Sequence, residues 1–277
     1  MKDKLMITLA LLGNVPTKKL NPSTPITPIE IADTLEECGK LGVTIAHLHA
    51  RDKNEEPTHD RASYKAILDE IHKRNLDIIT QVSTGARGGP NTIESRGQML
   101  DLDCDMGSLA TGSSNFPTTV NANNPDLIAA LAKKMYENNI KPEIEAFDVG
   151  MISYAKFLLK KGILKAPLHF NLVMNVPGSI EGTPKNLMHM IEYLPPNSTW
   201  SVCGIGNSQV DMLTMAIIMG GHVRTGLEDT MIYSKGIPAT NKMLVERIVR
   251  IANELGREIA TTTEAREILG LKTKVKI

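Results

Sequence analysis

The sequence has few cysteines, no net charge, no long apolar run and no glycine-rich dinucleotide signature, and each of these excludes something. Its three cysteines, Cys38, Cys104 and Cys203, stand far apart with no CxxC pair. A sparse, odd set argues against a disulfide framework and for a reducing compartment. Cys38 and Cys203 lie inside apolar patterns and read as buried thiols. The 31 basic and 31 acidic residues cancel, so there is no electrostatic reason to expect nucleic acid or an anionic membrane as partner. No apolar run approaches the ~20 residues that a membrane-spanning helix needs. The start, MKDKLMITLALLGNVPT, is too short in apolar residues for a signal peptide and has no small-residue cleavage site. It reads as a buried first strand, and a cytoplasmic protein is expected. No GxGxxG follows that run, which weakens the case for a doubly wound open sheet.

What is present is alternation. Eight short apolar runs occupy 5–12, 43–49, 77–83, 106–111, 143–148, 168–174, 199–205 and 222–228. Longer amphipathic stretches separate them. TPIEIADTLEECGKLG carries a Thr cap, Pro in the first turn and Gly past the end. DRASYKAILDEIHKRN, NPDLIAALAKKMYENN, TPKNLMHMIEYLPP and SQVDMLTMAIIMGG have the same form. Alternating β and α units imply parallel strands with helical crossovers, and eight of them imply a (β/α)8 TIM barrel. No linker or low-complexity stretch breaks residues 1–277, so one domain is expected. The tail beyond residue 256, with a helix around TTTEAREILGL, reads as an appended C-terminal extension.

In a barrel of this kind the chemistry belongs at the C-terminal strand ends. In VTIAHLHA, residues Ile45, His47 and His49 share one side of the strand, and Ala46, Leu48 and Ala50 the other. The apolar side fits the helix layer, which turns His47 and His49 into the barrel mouth. They are either two ligands of one divalent ion or a hydrogen-bonded pair. In HVRTGLED, the same period puts Arg224, Gly226 and Glu228 on one side, on a strand one removed from the histidine strand. Two histidines and a glutamate form a catalytic zinc set with a fourth position open. Asp229 follows as a candidate base; the bland alternative for Glu228 and Asp229 is an acidic pair at a helix N-terminus. A buried Arg224 needs an anionic partner. Other strand ends offer Ser83, Thr84 and Gly85 in a glycine-rich turn, then Thr111, Ser113 and Asn115. Glu143 and Glu145 follow with Asp148, and then His169 and Asn171. His169 by itself reads as structural or as support behind the site.

HLHARD, QVSTGARGG, TGSSNF, PEIEAFD and VRTGLED, in this order, resemble the β-keto acid cleavage enzymes, the family founded by the 3-keto-5-aminohexanoate enzyme. The resemblance runs over nearly the whole chain. It implies a zinc-dependent TIM barrel, usually a homotetramer, that converts a β-keto acid and acetyl-CoA to acetoacetate and a new acyl-CoA. It implies zinc on His47, His49 and Glu228, and a substrate carboxylate held by Ser83 and the Thr84–Gly85 turn. It also implies substrate contacts from Ser113 and Asn115, and proton chemistry by Glu145, Arg224 and Asp229. One departure lies in GNVPTKKLNP. The founding enzyme has a glutamate near the place of Val15 for the substrate ammonium, whereas Asn14 and Val15 stand here. A buried valine gives a cation no partner, so a neutral or apolar side group is expected. Arg51, Arg87 and Lys18 are candidates for the CoA phosphates. The rival reading is another divalent-metal TIM-barrel lyase, aldolase or hydrolase acting on a small keto acid.

Overall fold

Residues 4–272 are described by the computed structural model. Eight parallel strands close into a barrel: β1 (Ile7–Ala10), β2 (Ile45–Leu48), β3 (Ile79–Val82), β4 (Met106–Ala110), β5 (Lys141–Ala146), β6 (His169–Met174), β7 (Thr199–Gly204) and β8 (His222–Thr225). β1 joins β2 to β8, pairing Ala10 with His47 on one side and Thr8 with Arg224 on the other. The crossovers are α1 (Pro28–Gly39), α2 (Arg61–Lys73), the single turn α3 (Ile93–Arg96), α4 (Pro125–Glu137), α5 (Val149–Lys160), α6 (Pro184–Tyr193), α7 (Gln209–Met219) and α8 (Asn241–Glu254). The crossover between β3 and β4 is therefore a short helix and a 3-10 turn (Gln98–Asp101) rather than a full helix.

Local chemistry starts these helices. Thr27, Asn124 and Thr183 cap α1, α4 and α6 by accepting the backbone N–H of the third helical residue, and a proline follows each cap. Pro at the first helical position forfeits no bond, because that N–H has no helical partner. The α1 cap is reciprocal, with Glu30 reaching back to the Thr27 N–H. Buried stripes such as Ile31, Ala32, Leu35 and Cys38 on α1 then dock on the outer face of the sheet. Strand alternation holds where it was read: Ala46 and Leu48 join the helix layer, and Ile45 points inside.

Two expectations change. β8 stops at Thr225, so Glu228 is carried by the loop after the strand and not by the strand period. The C-terminal segment does extend past α8, but it is built into the barrel rather than hung on it. Leu5 bridges to Ile259, and Ala265 and Leu269 of α9 (Thr262–Leu269) pack with Met6, Ile45, Ile79 and Met106. That cluster closes the N-terminal end of the barrel. Arg266 locks it from the side, its two Nη atoms each 3.0 Å from an oxygen of Asp105.

Candidate active site

His47 and His49 meet at the barrel mouth with their Nε2 atoms 3.2 Å apart. Glu228 lies against both, Oε2 at 3.7 Å from His47 Nε2 and Oε1 at 3.4 Å from His49 Nε2. One atom from each of the three residues falls within 4.8 Å of the others. Glu228 Oε2 is shielded from solvent and has no hydrogen-bond partner. Two imidazole nitrogens and a carboxylate oxygen, converging with one lone pair unused, fit a divalent ion with an open position.

A glycine makes the approach of Glu228 possible. Gly226 has φ +145°, and a Cβ there would stand 2.0 Å from the Ala10 carbonyl oxygen. The chain turns at that contact and the Glu228 N–H then donates to the same carbonyl. Gly13 contributes from the facing loop, since its missing Cβ would lie 2.3 Å from Glu228 Cγ.

His47 is oriented from behind. Its Nδ1 is 2.5 Å from Gln81 Oε1. An amide oxygen only accepts, so Nδ1 carries the proton and Nε2 keeps its lone pair free for a metal ion. Burial and the nearby Arg224 push the His47 imidazole down to about 4, so it is neutral at pH 7. The amide of Gln81 also lies against Glu143, whose carboxylate is 3.3 Å from His169 Nε2. Burial works against charge on Glu143, but His169 and its other neighbours outweigh it and hold that carboxyl below the usual range.

Arg224 is the hub of the charges. Its guanidinium lies 2.7 Å from Glu228, 2.9 Å from Asp229 and 3.3 Å from Glu145. Burial disfavours its charge, but the carboxylates overcome this and keep it cationic. One cation cannot balance three enclosed carboxylates. Burial is the largest influence on each of them. Glu228, which also faces the imidazoles, is nonetheless held well below the ordinary range. Burial pushes Glu145 and Asp229 up to about 7 against the pull of the same guanidinium. A cavity of about 270 Å³ opens above these groups, floored by His47, His49, Ser83, Glu145, Arg224 and Glu228. Its outer wall is mostly apolar, including Phe116, Phe147, Val173, Val176 and Ile205.

The model of the beta-keto acid cleavage enzymes matches residues 4–271. The chain belongs to this family. It is 43% identical over 274 residues to 3-keto-5-aminohexanoate cleavage enzyme of Fusobacterium nucleatum subsp. nucleatum, covering 98% of this chain and 100% of that one. It is 40% identical over 275 residues to 3-oxoadipate:acetyl-CoA acetyltransferase of Cupriavidus necator, covering 98% and 96%. Among solved structures, the apo form of ObcA shares the fold with a TM-score of 0.73 at 21% identity. That match covers 91% of this chain, which spans 66% of the ObcA chain.

Within this member of the cleavage-enzyme family the remaining expected residues divide. Ser83, Gly85, Asn14 and Val15 line the cavity. Val15 is not buried; it is 53% exposed at the rim. Thr84 lies behind the wall, its hydroxyl donating to the Ser108 carbonyl. Ser113 and Asn115 are not brought to the cavity. Ser113 Oγ accepts the Asn123 N–H, and the hairpin of Ser114–Asn115 with Val120–Asn121 presents Phe116, Thr119, Val120 and Asn121 instead. Arg51 is spent on the first loop, donating to the carbonyls of Gly13 and Pro16, and Lys18 is paired with Glu30. Neither is free for a phosphate. Arg87 stays on the cavity wall, 5.3 Å over the Phe116 ring. Asp148 caps α5, and Thr111 bonds the Met151 carbonyl. Sequence reading missed Gln81 and Arg96. Gln81 had a signal, because it falls on the inward parity of Ile79 and Ser83. Arg96 had none: it is fully buried and ties the Thr84 carbonyl to Asn123, joining the loops after β3 and β4.

Proposed function

We propose that this enzyme cleaves a β-keto acid with acetyl-CoA as second substrate, giving acetoacetate and a new acyl-CoA, and that its metal is zinc on His47, His49 and Glu228. The observation that carries the reading is the open His–His–Glu set with Asp229 and Arg224 beside it, in a chain whose relatives at 43% and 40% identity are named for such reactions. When bound, the ion supplies Lewis-acid polarisation of the substrate carbonyl. Ser83 and the Gly85 turn hold the carboxylate. Asp229, aligned by two contacts to Arg224, removes the C2 proton. The C2 carbanion attacks the thioester carbonyl of acetyl-CoA and expels the CoA thiolate. The thiolate adds to the former β-carbonyl, the C2–C3 bond breaks, and its electron pair leaves as the acetoacetate enolate. Asp229 returns the proton, and Glu145 keeps Arg224 in place from the opposite side. No protein thiol is given a role: burial pushes Cys38 up to about 12 and raises Cys203 well above the ordinary thiol range.

The side group of the keto acid is neutral or apolar in this reading. The carboxylates that line the cavity are Glu145, Glu228 and Asp229, and all face Arg224. An ammonium at the outer wall would meet Val15, Phe116 and the cation Arg87 instead. Arg87 also supports a second reading, a side group ending in a carboxylate. The working enzyme is a cytoplasmic homotetramer in this proposal; no helix among the described residues is long and apolar enough to cross a membrane.

The test is a panel of β-keto acids with neutral, apolar, anionic and ammonium side groups, each given with acetyl-CoA, with the acyl-CoA formed identified by mass spectrometry. Neutral or apolar side groups are expected to give the highest kcat/KM. A clear preference for the ammonium compound overturns the side-group assignment, and keto acid loss that does not need acetyl-CoA overturns the reaction.

A further inference from the structure

The inside of a closed eight-stranded barrel is usually filled by branched apolar side chains. Beneath the histidine pair this barrel is polar instead. Gln81 on β3, Glu143 on β5 and His169 on β6 are all at 0% exposure. An ionised carboxylate in such a place is costly unless it is paired. Burial opposes the charge on Glu143, yet its neighbours hold the carboxyl below the usual range. His169 Nε2 stands 3.3 Å from its Oε2, and the Gln81 amide lies against it. Among the described residues, no hydrogen bond from elsewhere takes up Gln81 Nε2 or either Glu143 oxygen. The other nitrogen of His169 is 2.8 Å from Thr199 Oγ1, and at the opposite end Gln81 Oε1 is 2.5 Å from His47 Nδ1. The row runs Thr199, His169, Glu143, Gln81, His47 across the lumen, from β7 to β2.

An amide has an accepting end and a donating end of nearly the same shape, and its neighbours decide which way it points. His47 does not decide it. A neutral imidazole presents either a proton or a lone pair at Nδ1, so it suits either end of Gln81. Glu143 does decide it, because an ionised carboxylate only accepts. It draws the NH2 end of Gln81 and leaves Oε1 for His47. On the far side of the ring, Glu228 Oε2 lies 3.7 Å from His47 Nε2 and favours a proton there. Only a bias from behind opposes it.

We propose that Glu143 is a positioning residue for the metal centre: its negative charge, held by His169, sets the direction of the Gln81 amide and through it the tautomer of His47 that offers Nε2 to a metal ion. With the amide turned round, Gln81 would donate to Nδ1, the proton would sit on Nε2, and His47 would present an N–H where a ligand is needed. Glu143 acts through two residues and touches neither the cavity nor the ligand atoms. The consequence for metal binding rests on the metal reading above; the tautomer itself does not.

The test uses the full chain in metal-free and zinc-loaded forms. The His47 tautomer is read from the imidazole 15N shifts of histidine-labelled, metal-free enzyme, with His47→Gln to assign the signal. The wild type should carry the proton on Nδ1. Glu143→Gln keeps the shape and removes the charge. It should move a large share of the proton to Nε2 and weaken zinc binding by about 10–100-fold, read by competition with a chelating dye. The double variant Gln81→Glu with Glu143→Gln brings the carboxylate one residue nearer, where it accepts from His47 Nδ1 on one side and from the amide on the other. It should restore both the Nδ1 tautomer and wild-type zinc affinity. A role in packing alone predicts the reverse, because two changes in a sealed row disturb it more than one. The proposal is overturned if Glu143→Gln leaves tautomer and affinity unchanged, or if the double variant binds zinc no better than Glu143→Gln. Where Glu143→Gln does not fold, the double variant decides alone, by binding zinc as the wild type does or failing to. A proton on Nε2 in the metal-free wild type overturns the proposal without any variant. If His47→Gln binds zinc as tightly as the wild type, the metal reading falls instead, and the consequence for zinc with it.

Discussion

Asp229 follows Glu228 directly in sequence and both touch the Arg224 guanidinium, so in the proposed mechanism Arg224 holds base and Lewis acid in fixed relation. Replacing Asp229 by Asn keeps the shape and removes the base. Turnover is expected to fall by ~10²–10⁴-fold, while metal content by elemental analysis stays at the wild-type level. Normal turnover in that variant would end the assignment of the base. Gln81 makes a different kind of claim. It does not line the cavity and acts through His47, fixing which nitrogen carries the proton. Gln81→Leu should weaken zinc binding by about 10–100-fold, the usual effect of losing a partner behind a ligand, as read by competition with a chelating dye. An unchanged affinity would leave Gln81 as mere packing. At this scale much of the site was legible. His47 and His49 were readable because side chains alternate on a strand, and Arg224 because a charge inside a barrel needs a partner. Ser113 and Asn115 were misplaced because a hairpin of two-residue strands inverted what the linear order offered.

The loop after β8 shows how an element delivers what its residues alone do not. The strand period pointed to Glu228 as third ligand, but the strand ends three residues earlier. Glu228 reaches the two histidines because Gly226 turns the chain at φ +145°, against the Ala10 carbonyl. Gly226→Ala should therefore lose metal and activity together, and lower stability by about 1–3 kcal/mol for the forced backbone. Gly220, at the C-terminal end of α7, is the matched control. It also has positive φ (+87°), yet a Cβ there meets nothing within 4 Å. Gly220→Ala should cost stability only, with metal content and kcat/KM unchanged. Equal loss of metal in both variants would show that general destabilisation, not the placement of Glu228, is at work. No local pattern distinguishes these two glycines. The difference lies in what stands opposite each, which is set by the closing of β8 on β1.

At the scale of the molecule, the barrel has a chemical end and a structural end, and the tail belongs to the second. The helix itself was readable from Thr261 and Glu264, which form a reciprocal cap. Its place was not, because Leu5 and Ile259 pair across almost the whole chain and nothing local announces that. Leu269 is fully buried among Met6, Ile45, Ile79 and Met106, four residues contributed from β1 to β4 or just before them. Ile45 lies two residues before His47 on the same strand, so floor and site share one element. If the barrel is rigid along β2, loosening the floor should lower stability without moving the ligands. Leu269→Ala should then reduce the free energy of urea unfolding by ~2–5 kcal/mol, the range for a buried leucine whose cavity stays open. Zinc affinity and kcat/KM per folded molecule should match the wild type. A drop in zinc affinity would instead mean that packing at the floor is transmitted through Ile45 to His47, and that the tail helps to set the geometry of the metal site from the far end of the barrel.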